Sequence, residues 1–257
     1  MSRLRLSLFF IFLLIPACAQ AAPSDWQAQK SQHFIIYYQD APASFIDELV
    51  YKAEDYYNSI VDEFGYRRSD FWSWDNRARI YLYKNAEDFQ QATRRAAWAG
   101  GMVSTGDREI KTFVGQENFF GTILPHEMTH IIFREFIGDR TVVPLWIEEG
   151  VACSQEKASI GLYLQIAGKF VAANKYIKLE ELSAVSDAGQ VDPTLFYAES
   201  ASLVVFLIRS QGRENFWDFS RALRDGSDWK KALLGIYDFN NLQELENAWK
   251  DFMLKQL

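Results

Sequence analysis

The chain has 257 residues, of which 49% are hydrophobic and 24% are charged, and its formal net charge is -7. This composition is ordinary for a folded globular protein, so it argues against a disordered chain and against a bundle of membrane helices. An acidic chain without a stripe of Lys and Arg cannot neutralise a row of phosphates, so a nucleic-acid partner is not expected.

The N-terminal segment has the pattern of a signal peptide. Arg3 and Arg5 supply a positive start, and the apolar run 6–15 is too short to span a bilayer but long enough for the core of an export signal. Ala19-Gln20-Ala21 has the small-x-small pattern of a cleavage site. We therefore expect residues 1–21 to be removed and the chain to be exported to the bacterial periplasm or cell envelope.

Cys18 allows a second interpretation of the same segment. Ile15-Pro16-Ala17-Cys18 resembles the lipobox of bacterial lipoproteins, in which case the signal would be 1–17 and a lipid on Cys18 would be the only membrane attachment. The chain has two cysteines, so Cys153 is left without a disulfide partner whether Cys18 is removed or lipidated. The mature chain must then be stabilised by its core and by any bound metal.

Strands and helices alternate over the first half of the expected mature chain. Strand-length runs of β-branched and aromatic residues, helical spacing of apolar residues and turn residues predict these elements. Strands are expected at 33–38, at 79–83 and in a hairpin of 100–104 with 109–114, and helices at 44–64 and after the capping residue Asn85.

From Gly121 onward the spacing of apolar residues is helical nearly throughout. Helices are predicted at 122–137, 144–155, 160–174, 195–211, 214–224, 229–234 and 242–254, with Gly138 and Gly212 at helix ends and Asn240 or Asn241 as the cap of the last helix. The sequence thus predicts an α+β fold in a single domain, 22–257. A small, mostly antiparallel sheet with a long helix would occupy 22–140, and 141–257 would be all helical.

Two of the three histidines fall in one short motif, His126-Glu127-Met128-Thr129-His130. Residues four apart lie on one face of a helix with Cβ atoms about 5–6 Å apart, so the two imidazoles can converge on one ion. The intervening Glu127 would lie where it can accept a proton from a water beside that ion. This spacing is typical of a catalytic zinc site, with a pair of structural histidines as the alternative.

A catalytic zinc site needs a third protein ligand and an open fourth position. Glu148 and Glu149 are the candidates, in the segment Pro144-Leu145-Trp146-Ile147-Glu148-Glu149-Gly150-Val151-Ala152. Between His130 and Glu149 lie 18 residues, enough for a turn and a second helix packed across the first. Gly150 inside that helix costs roughly 1 kcal/mol relative to Ala. Its compensating role would be a close approach of two helices beside the metal.

The two segments together resemble the gluzincin metallopeptidases. His-Glu-x-x-His, followed after 18 residues by Glu inside Leu-Trp-x-x-Glu-Gly-x-Ala, is similar to the aminopeptidase-N-like enzymes and to the peptidase MA-like family. The resemblance implies a zincin-like fold and a zinc ion held by His126, His130 and Glu149, with Glu127 activating a water. In those families the Glu directly before Gly is the third ligand, so Glu148 would be a solvated or supporting carboxylate.

A second part of the resemblance lies downstream. Phe196-Tyr197-Ala198-Glu199-Ser200-Ala201-Ser202-Leu203-Val204 resembles the helix start from which those families supply a tyrosine that stabilises the transition state. A phenol donating to a developing oxyanion is a sensible role for Tyr197, with core packing as the alternative. The similarity extends over residues 100–257 and is strongest at the two zinc segments.

Two departures from these families bear on the expected activity. Aminopeptidase-N-like enzymes carry a Gly-x-Met-Glu-Asn strand whose Glu holds the substrate amine, whereas this chain has Gly100-Gly101-Met102-Val103-Ser104. The missing amine anchor favours an endopeptidase over an aminopeptidase. Thermolysin-like gluzincins place an Asp four residues after the Glu ligand to orient a histidine. Cys153 occupies that place here, either as a small buried hydrophobe or as a thiol near the metal.

The sequence therefore predicts a zinc-dependent peptidase that hydrolyses a peptide or protein of the cell envelope. The predicted strand 109–114 would be a sheet edge along which an extended substrate pairs. The alternative is a catalytically weak or inactive zinc-binding envelope protein that acts as a binding scaffold. Replacing Glu127 by Gln separates the two, because only an enzyme depends on that carboxylate for turnover.

Overall fold

The computed structural model describes residues 25–66, 72, 76–94 and 102–256. The predicted signal 1–21, with Cys18, and the first two glycines of the predicted hairpin, Gly100 and Gly101, lie outside these residues. Within them the chain is α+β, as the sequence predicts, with a five-stranded sheet followed by a mainly helical C-terminal part. Among the described residues, no helix combines the length and the apolar character needed to cross a membrane.

The sheet is mixed. Its strands are Gln27–Lys30 (β1), Phe34–Tyr38 (β2), Ala78–Tyr83 (β3), Met102–Ser104 (β4) and Glu109–Phe113 (β5), in the order β1-β2-β3-β5-β4. β2 pairs parallel to β3 and β3 parallel to β5, whereas the β1–β2 and β4–β5 pairs are antiparallel. The expected antiparallel majority is thus corrected to two pairs of each kind. A helix connects β2 to β3 and returns the chain to the same end of the sheet, and such a crossover makes the two strands parallel.

The predicted hairpin is found as β4 paired with β5, with Val103 opposite Ile110. β5 lies between β3 and β4, so the expectation that it forms a sheet edge is wrong. β4 is the edge of the described sheet on that side, and it contacts the helix that carries both histidines of the motif. The strand expected to be free for pairing is therefore internal, and its neighbour occupies the edge.

The described residues form ten α-helices, and every predicted helix has a counterpart within a few residues of its expected bounds. They are Ala43–Glu63 (α1), Ala86–Thr93 (α2), Leu124–Ile137 (α3), Leu145–Ser154 (α4), Ile160–Ala172 (α5), Leu179–Ala184 (α6), Pro193–Val205 (α7), Arg213–Arg224 (α8), Trp229–Ile236 (α9) and Leu242–Leu254 (α10). A π-helical turn, Phe119–Ile123, precedes α3, and another, Phe206–Ser210, follows α7. β1 and α6 have no counterpart in the prediction, because segments of 4 and 6 residues carry little periodicity.

Several helix ends are set by the residues expected. The side chain of Asn85 accepts a hydrogen bond from the amide of Asp88 at 2.9 Å, and Asn241 does the same for Glu244 at 3.0 Å. Gly138 follows α3 with a φ of 91°, a backbone conformation that favours glycine. α3 therefore ends at the turn that leads into α4.

A continuous hydrophobic core lies between the inner face of the sheet and the helices. Phe34 and Ile36 of β2 alternate with more exposed neighbours and are fully buried, and Leu49 of α1 belongs to the same core. Met128 and Ile132 of α3 are also fully buried. Because α3 packs against α1, α4, α8 and the β4–β5 pair, the helix carrying the histidine motif has a well-defined position.

Candidate metal centre

His126 and His130 lie one helical turn apart on α3, as the sequence predicts. Pro125 lies in the first turn of this helix. Proline is favoured there because it has no amide hydrogen and its fixed φ suits a helix start. The centroids of the two imidazole rings are 4.8 Å apart, with 77° between the ring planes. Their Nε2 atoms are 3.1 Å apart. Both rings therefore direct a nitrogen to the same place.

Glu149 of α4 completes the group. Its Oε2 atom is 3.7 Å from Nε2 of His126 and 4.0 Å from Nε2 of His130. Ligand atoms about 2.0–2.2 Å from a tetrahedral zinc ion stand roughly 3.3–3.6 Å from one another, which is close to these separations. Two imidazole nitrogens and one carboxylate oxygen are also a donor set found in catalytic zinc sites. The structure brings the three predicted ligands together in a way that fits zinc, and their binding of a metal stays a prediction.

Glu148 has a different partner. Its carboxylate pairs with the guanidinium of Arg134, which lies on α3 one turn beyond His130. Arg134 also donates to the carbonyl of Thr141, at 2.7 Å, in the connection between α3 and α4. Glu148 thus links the two helices that carry the candidate ligands, and it is a supporting carboxylate rather than a solvated one.

Gly150 lets α4 approach α7 closely. A Cβ atom built on Gly150 would lie 2.4 Å from the carbonyl oxygen of Ser200 and 2.8 Å from a methyl group of Val204, both on α7. Real Cβ atoms do not approach a backbone oxygen so closely, so any side chain at this position would push the helices apart. The glycine next to Glu149 therefore has the role that the sequence analysis expects of it.

Tyr197 is half-buried in the first part of α7, on the helix that packs against α4. Burial raises its pKa to about 12, and the charge of Glu149 is the largest electrostatic contribution in the same direction. The phenol is therefore near the candidate ligand and is protonated at neutral pH. Its ring also packs edge-on against Phe196, with centroids 5.4 Å apart. Tyr197 thus packs against Phe196 and is influenced electrostatically by Glu149.

Glu127 is half-buried and follows His126 directly on α3. Its negative charge contributes to raising the pKa of His126 and that of Glu149. A carboxylate that acts on both groups lies beside them. The charge of Glu127 thus acts on two of the three candidate ligands, and its role as a base stays a prediction.

Glu156 contacts His126 from the other side of the ring, and the sequence analysis did not identify it. Its Oε1 atom is 2.7 Å from Nδ1 of His126, and its Oε2 atom accepts a hydrogen bond from the hydroxyl of Tyr163 at 3.1 Å. Glu156 is 2% exposed. No helical spacing in the sequence could have found it, because Glu156 lies past the end of the predicted helix 144–155 and of α4. The resemblance directed attention to the offset of four, where Cys153 lies.

Cys153 is 1% exposed, and its Sγ atom is 3.9 Å from Nδ1 of His126. Burial, followed by the charges of Glu156 and Glu149, raises the pKa of the thiol well above its ordinary value. His126, Cys153 and Glu156 also form a second group with donor atoms near one another. The 2.7 Å contact in this group is a hydrogen-bond distance, shorter than the separation of two zinc ligands, so we interpret it as support for His126.

Burial is the largest influence on the pKa of each candidate ligand. It lowers the pKa of His130 well below its ordinary value, and the charge of His126 acts in the same direction. Burial also acts to lower the pKa of His126, but the hydrogen bond to Glu156 and the surrounding carboxylates outweigh it, so this pKa is raised. Burial raises the pKa of Glu149. A neutral His130 has the free lone pair that a metal ion requires.

A family model described as the Peptidase MA superfamily matches residues 74–255. No curated protein matches the chain. The matched segment is more than half of the chain and contains His126, Glu127, His130, Glu149 and Tyr197. The chain therefore belongs to the Peptidase MA superfamily, a membership that indicates a peptidase-like, metal-dependent function.

Proposed function

We propose that the chain is a zinc-dependent peptidase with His126, His130 and Glu149 as the zinc ligands. The observation that carries this proposal is the convergence of two imidazole nitrogens and one carboxylate oxygen, all within 4.8 Å of one another, from two packed helices. Zinc held by these residues would supply Lewis acidity, which lowers the pKa of water toward 7 and polarises a carbonyl. Proton transfer and stabilisation of the oxyanion are assigned to side chains around the three ligands.

Glu127 is the proton carrier in this proposal. Its carboxylate takes a proton from the attacking water and gives it to the nitrogen of the leaving amine. The proposal is supported by the place of Glu127, which is adjacent to His126 in the chain and has a charge that acts on both His126 and Glu149. This proton transfer requires a carboxylate close to the attacking water.

Tyr197 is the hydrogen-bond donor to the oxyanion. A pKa of about 12 leaves its hydroxyl protonated over the whole neutral range, so the group donates rather than accepts. A donor aimed at the carbonyl oxygen stabilises the negative charge that develops there. The electrostatic influence of Glu149 on Tyr197 supports this role, because Glu149 is one of the three proposed ligands.

An extended segment of polypeptide, paired with β4, is the proposed substrate. β4 is at an edge of the described sheet next to α3, so the backbone groups on its outer side are the proposed pairing partners of a substrate strand. Endopeptidase action is preferred, since Gly100-Gly101-Met102-Val103-Ser104 lacks the glutamate with which aminopeptidase-N-like enzymes hold a free amine. The signal-like segment 1–21 supports a substrate in the cell envelope.

The decisive experiment compares the wild-type chain with Glu127→Gln on a library of unmodified peptides, with cleavage followed by mass spectrometry and zinc measured by elemental analysis. The wild type should contain one zinc ion and cleave internal bonds. Glu127→Gln should retain the zinc and lose activity by a factor of about 10²–10⁴, the usual contribution of a general acid–base group. Glu117→Gln, a matched change at an exposed glutamate, should leave both properties unchanged.

Two results would contradict the proposal. A wild-type chain that contains zinc but cleaves no peptide would favour a zinc-binding scaffold. Equal activity of the wild type and Glu127→Gln would show that Glu127 carries no proton in the reaction.

A further inference from the structure

His126 is held on both sides of its ring. Nε2 points toward His130 and Glu149, at 3.1 and 3.7 Å, whereas Nδ1 is 2.7 Å from Oε1 of Glu156. A carboxylate oxygen can only accept when ionised, so this contact places the proton of a neutral imidazole on Nδ1. The lone pair is then on Nε2, the atom that faces the other two candidate ligands.

Glu156 is itself fixed by its surroundings. Its second oxygen accepts from the hydroxyl of Tyr163 at 3.1 Å, and the residue is 2% exposed. Its backbone carbonyl accepts from the amides of Ser159 and Ile160, each at 2.9 Å, at the start of α5. The carboxylate is thus held in one place by contacts with its side chain and its backbone.

The segment that carries Glu156 is also attached to the chain just before α3. The amide of Ala158 donates to the carbonyl of Gly121 at 3.2 Å. The hydroxyl groups of Thr122 and Ser159 are 3.1 Å apart. Since Gly121 and Thr122 lead directly into the helix of His126, these bonds fix the distance between Glu156 and the imidazole.

We propose that Glu156, supported by Tyr163, is the positioning residue for His126. It holds the ring in the orientation and tautomer that leave Nε2 free to bind zinc. The inference rests on the proposed function, because it assigns a task at the same site. The task is one that a carboxylate four residues after the glutamate ligand performs in thermolysin-like gluzincins. In this chain Cys153 occupies that offset, and the carboxylate lies one turn further along.

The chain contains a matched control for this arrangement. Glu246 is 3% exposed and accepts a hydrogen bond from the hydroxyl of Tyr176 at 2.9 Å, as Glu156 does from Tyr163. Its other oxygen accepts from the backbone amide of Leu179 at 2.8 Å. Glu246 therefore reproduces the burial and the tyrosine partner without a histidine.

The test is the zinc affinity of the full chain, measured by competition with a chelator of known affinity. Glu156→Gln should weaken zinc binding by about 10- to 100-fold, the usual effect of losing a partner of a metal-bound histidine. Tyr163→Phe should weaken it by a smaller factor. Glu246→Gln and Tyr176→Phe should lower the midpoint of thermal unfolding and leave the zinc affinity unchanged.

The visible spectrum of the cobalt(II)-substituted protein provides the second measurement, because its bands report the coordination geometry. The bands should shift in Glu156→Gln and remain as in the wild type in Glu246→Gln. If Glu156→Gln does not fold, Tyr163→Phe decides the matter by the same two measurements.

The outcomes separate this inference from the proposed function. A wild-type chain that binds no zinc overturns both. A wild type that binds zinc and cleaves peptides, with an unchanged zinc affinity in Glu156→Gln or an equal loss in Glu246→Gln, overturns the positioning role alone.

Discussion

Helix α7 contributes residues to two groups of half-buried and buried glutamates. Toward α4, its Tyr197 has a pKa that burial and then the charge of Glu149 raise. Two residues further along, both carboxylate oxygens of Glu199 are 3.1 Å from the backbone amide of Ile177, in the connection between α5 and α6. Glu246 of α10 holds the same connection through the hydroxyl of Tyr176 and a second backbone amide.

The two groups show that a buried carboxylate with a perturbed pKa does not by itself identify a functional site. Burial raises the pKa of Glu149, but it also raises that of Glu199, to about 8. The partners differ. Glu149 lies near imidazole nitrogens that point to one place. Glu199 and Glu246 instead accept hydrogen bonds from backbone amides and one hydroxyl, and these bonds fix the segment that connects α5 to the start of α6. We therefore call the first the ligand group and the second the anchoring group, and four predictions test whether the two are separate.

The largest expected difference is in zinc affinity. Glu149→Gln removes a proposed ligand, so zinc binding should weaken by at least about 100-fold, the upper end of the effect of losing a supporting partner. Glu199→Gln makes the same chemical change in the anchoring group and should leave zinc affinity unchanged. Chelator competition on both variants measures this. Comparable losses of zinc affinity in the two variants would show that the two groups are coupled.

The next largest effect is expected in turnover. Tyr197→Phe removes the proposed donor to the oxyanion, so kcat should fall by about 10²–10³-fold, as for other single donors of this kind. KM and zinc content should change little, because the ring remains in place. Tyr176→Phe removes the hydroxyl of the anchoring group and should leave kcat unchanged. A kcat of Tyr197→Phe equal to that of the wild type would show that Tyr197 contributes only to packing.

A third prediction concerns the contact that joins the ligand group to α7. Gly150→Ala puts a methyl group against the carbonyl of Ser200 and should lower the free energy of unfolding by about 3 kcal/mol, the upper range for overpacking a core. Gly161→Ala, in α5, places its methyl in open space and should instead raise that free energy by up to about 1 kcal/mol. Denaturant unfolding of both variants checks this, and equal effects would contradict the close approach of α4 and α7.

The last prediction is a pH dependence that belongs to the anchoring group, and it is the smallest effect only when taken per pH unit. Because Glu199 has a pKa of about 8 in the folded chain and an ordinary value of 4.5, the folded state holds an extra proton between these values. This contribution to stability is complete below pH 4.5 and is lost as the pH rises to about 8. The free energy of unfolding of the wild type, minus that of Glu199→Gln, should thus fall by up to about 1.4 kcal/mol for each pH unit between these two values. A difference that does not vary with pH would contradict the raised pKa.

Local patterns in the sequence were sufficient for the helices and for most of the ligand group. The spacing of His126 and His130 follows from helical geometry, and the resemblance at Glu149-Gly150 selected the carboxylate that the structure brings to them. The close helix approach at Gly150 was also predicted, because a glycine inside a helix needs a compensating contact.

The order of the strands and the contacts of Glu156 could not be predicted in this way. Which strands pair, and whether in parallel, depends on the path of connections over long distances. Glu156 lies just past the end of α4 and reaches His126 only because bonds such as those of Ala158 and Ser159 attach its segment to the start of α3. Such contacts between distant parts of the chain leave no periodic signal in the sequence.

Because Gly150 has no side chain, the close approach that it allows also determines which part of the proposed site can widen. Since the backbones of α4 and α7 touch at this point, Glu149 and Tyr197 belong to one block that cannot widen without breaking the contact. Space for an arriving polypeptide must then come from other elements, and β4, at the edge of the described sheet beside α3, is the proposed place. Redesign for bulkier cleavage sequences would accordingly begin at that strand and leave the two helices unchanged.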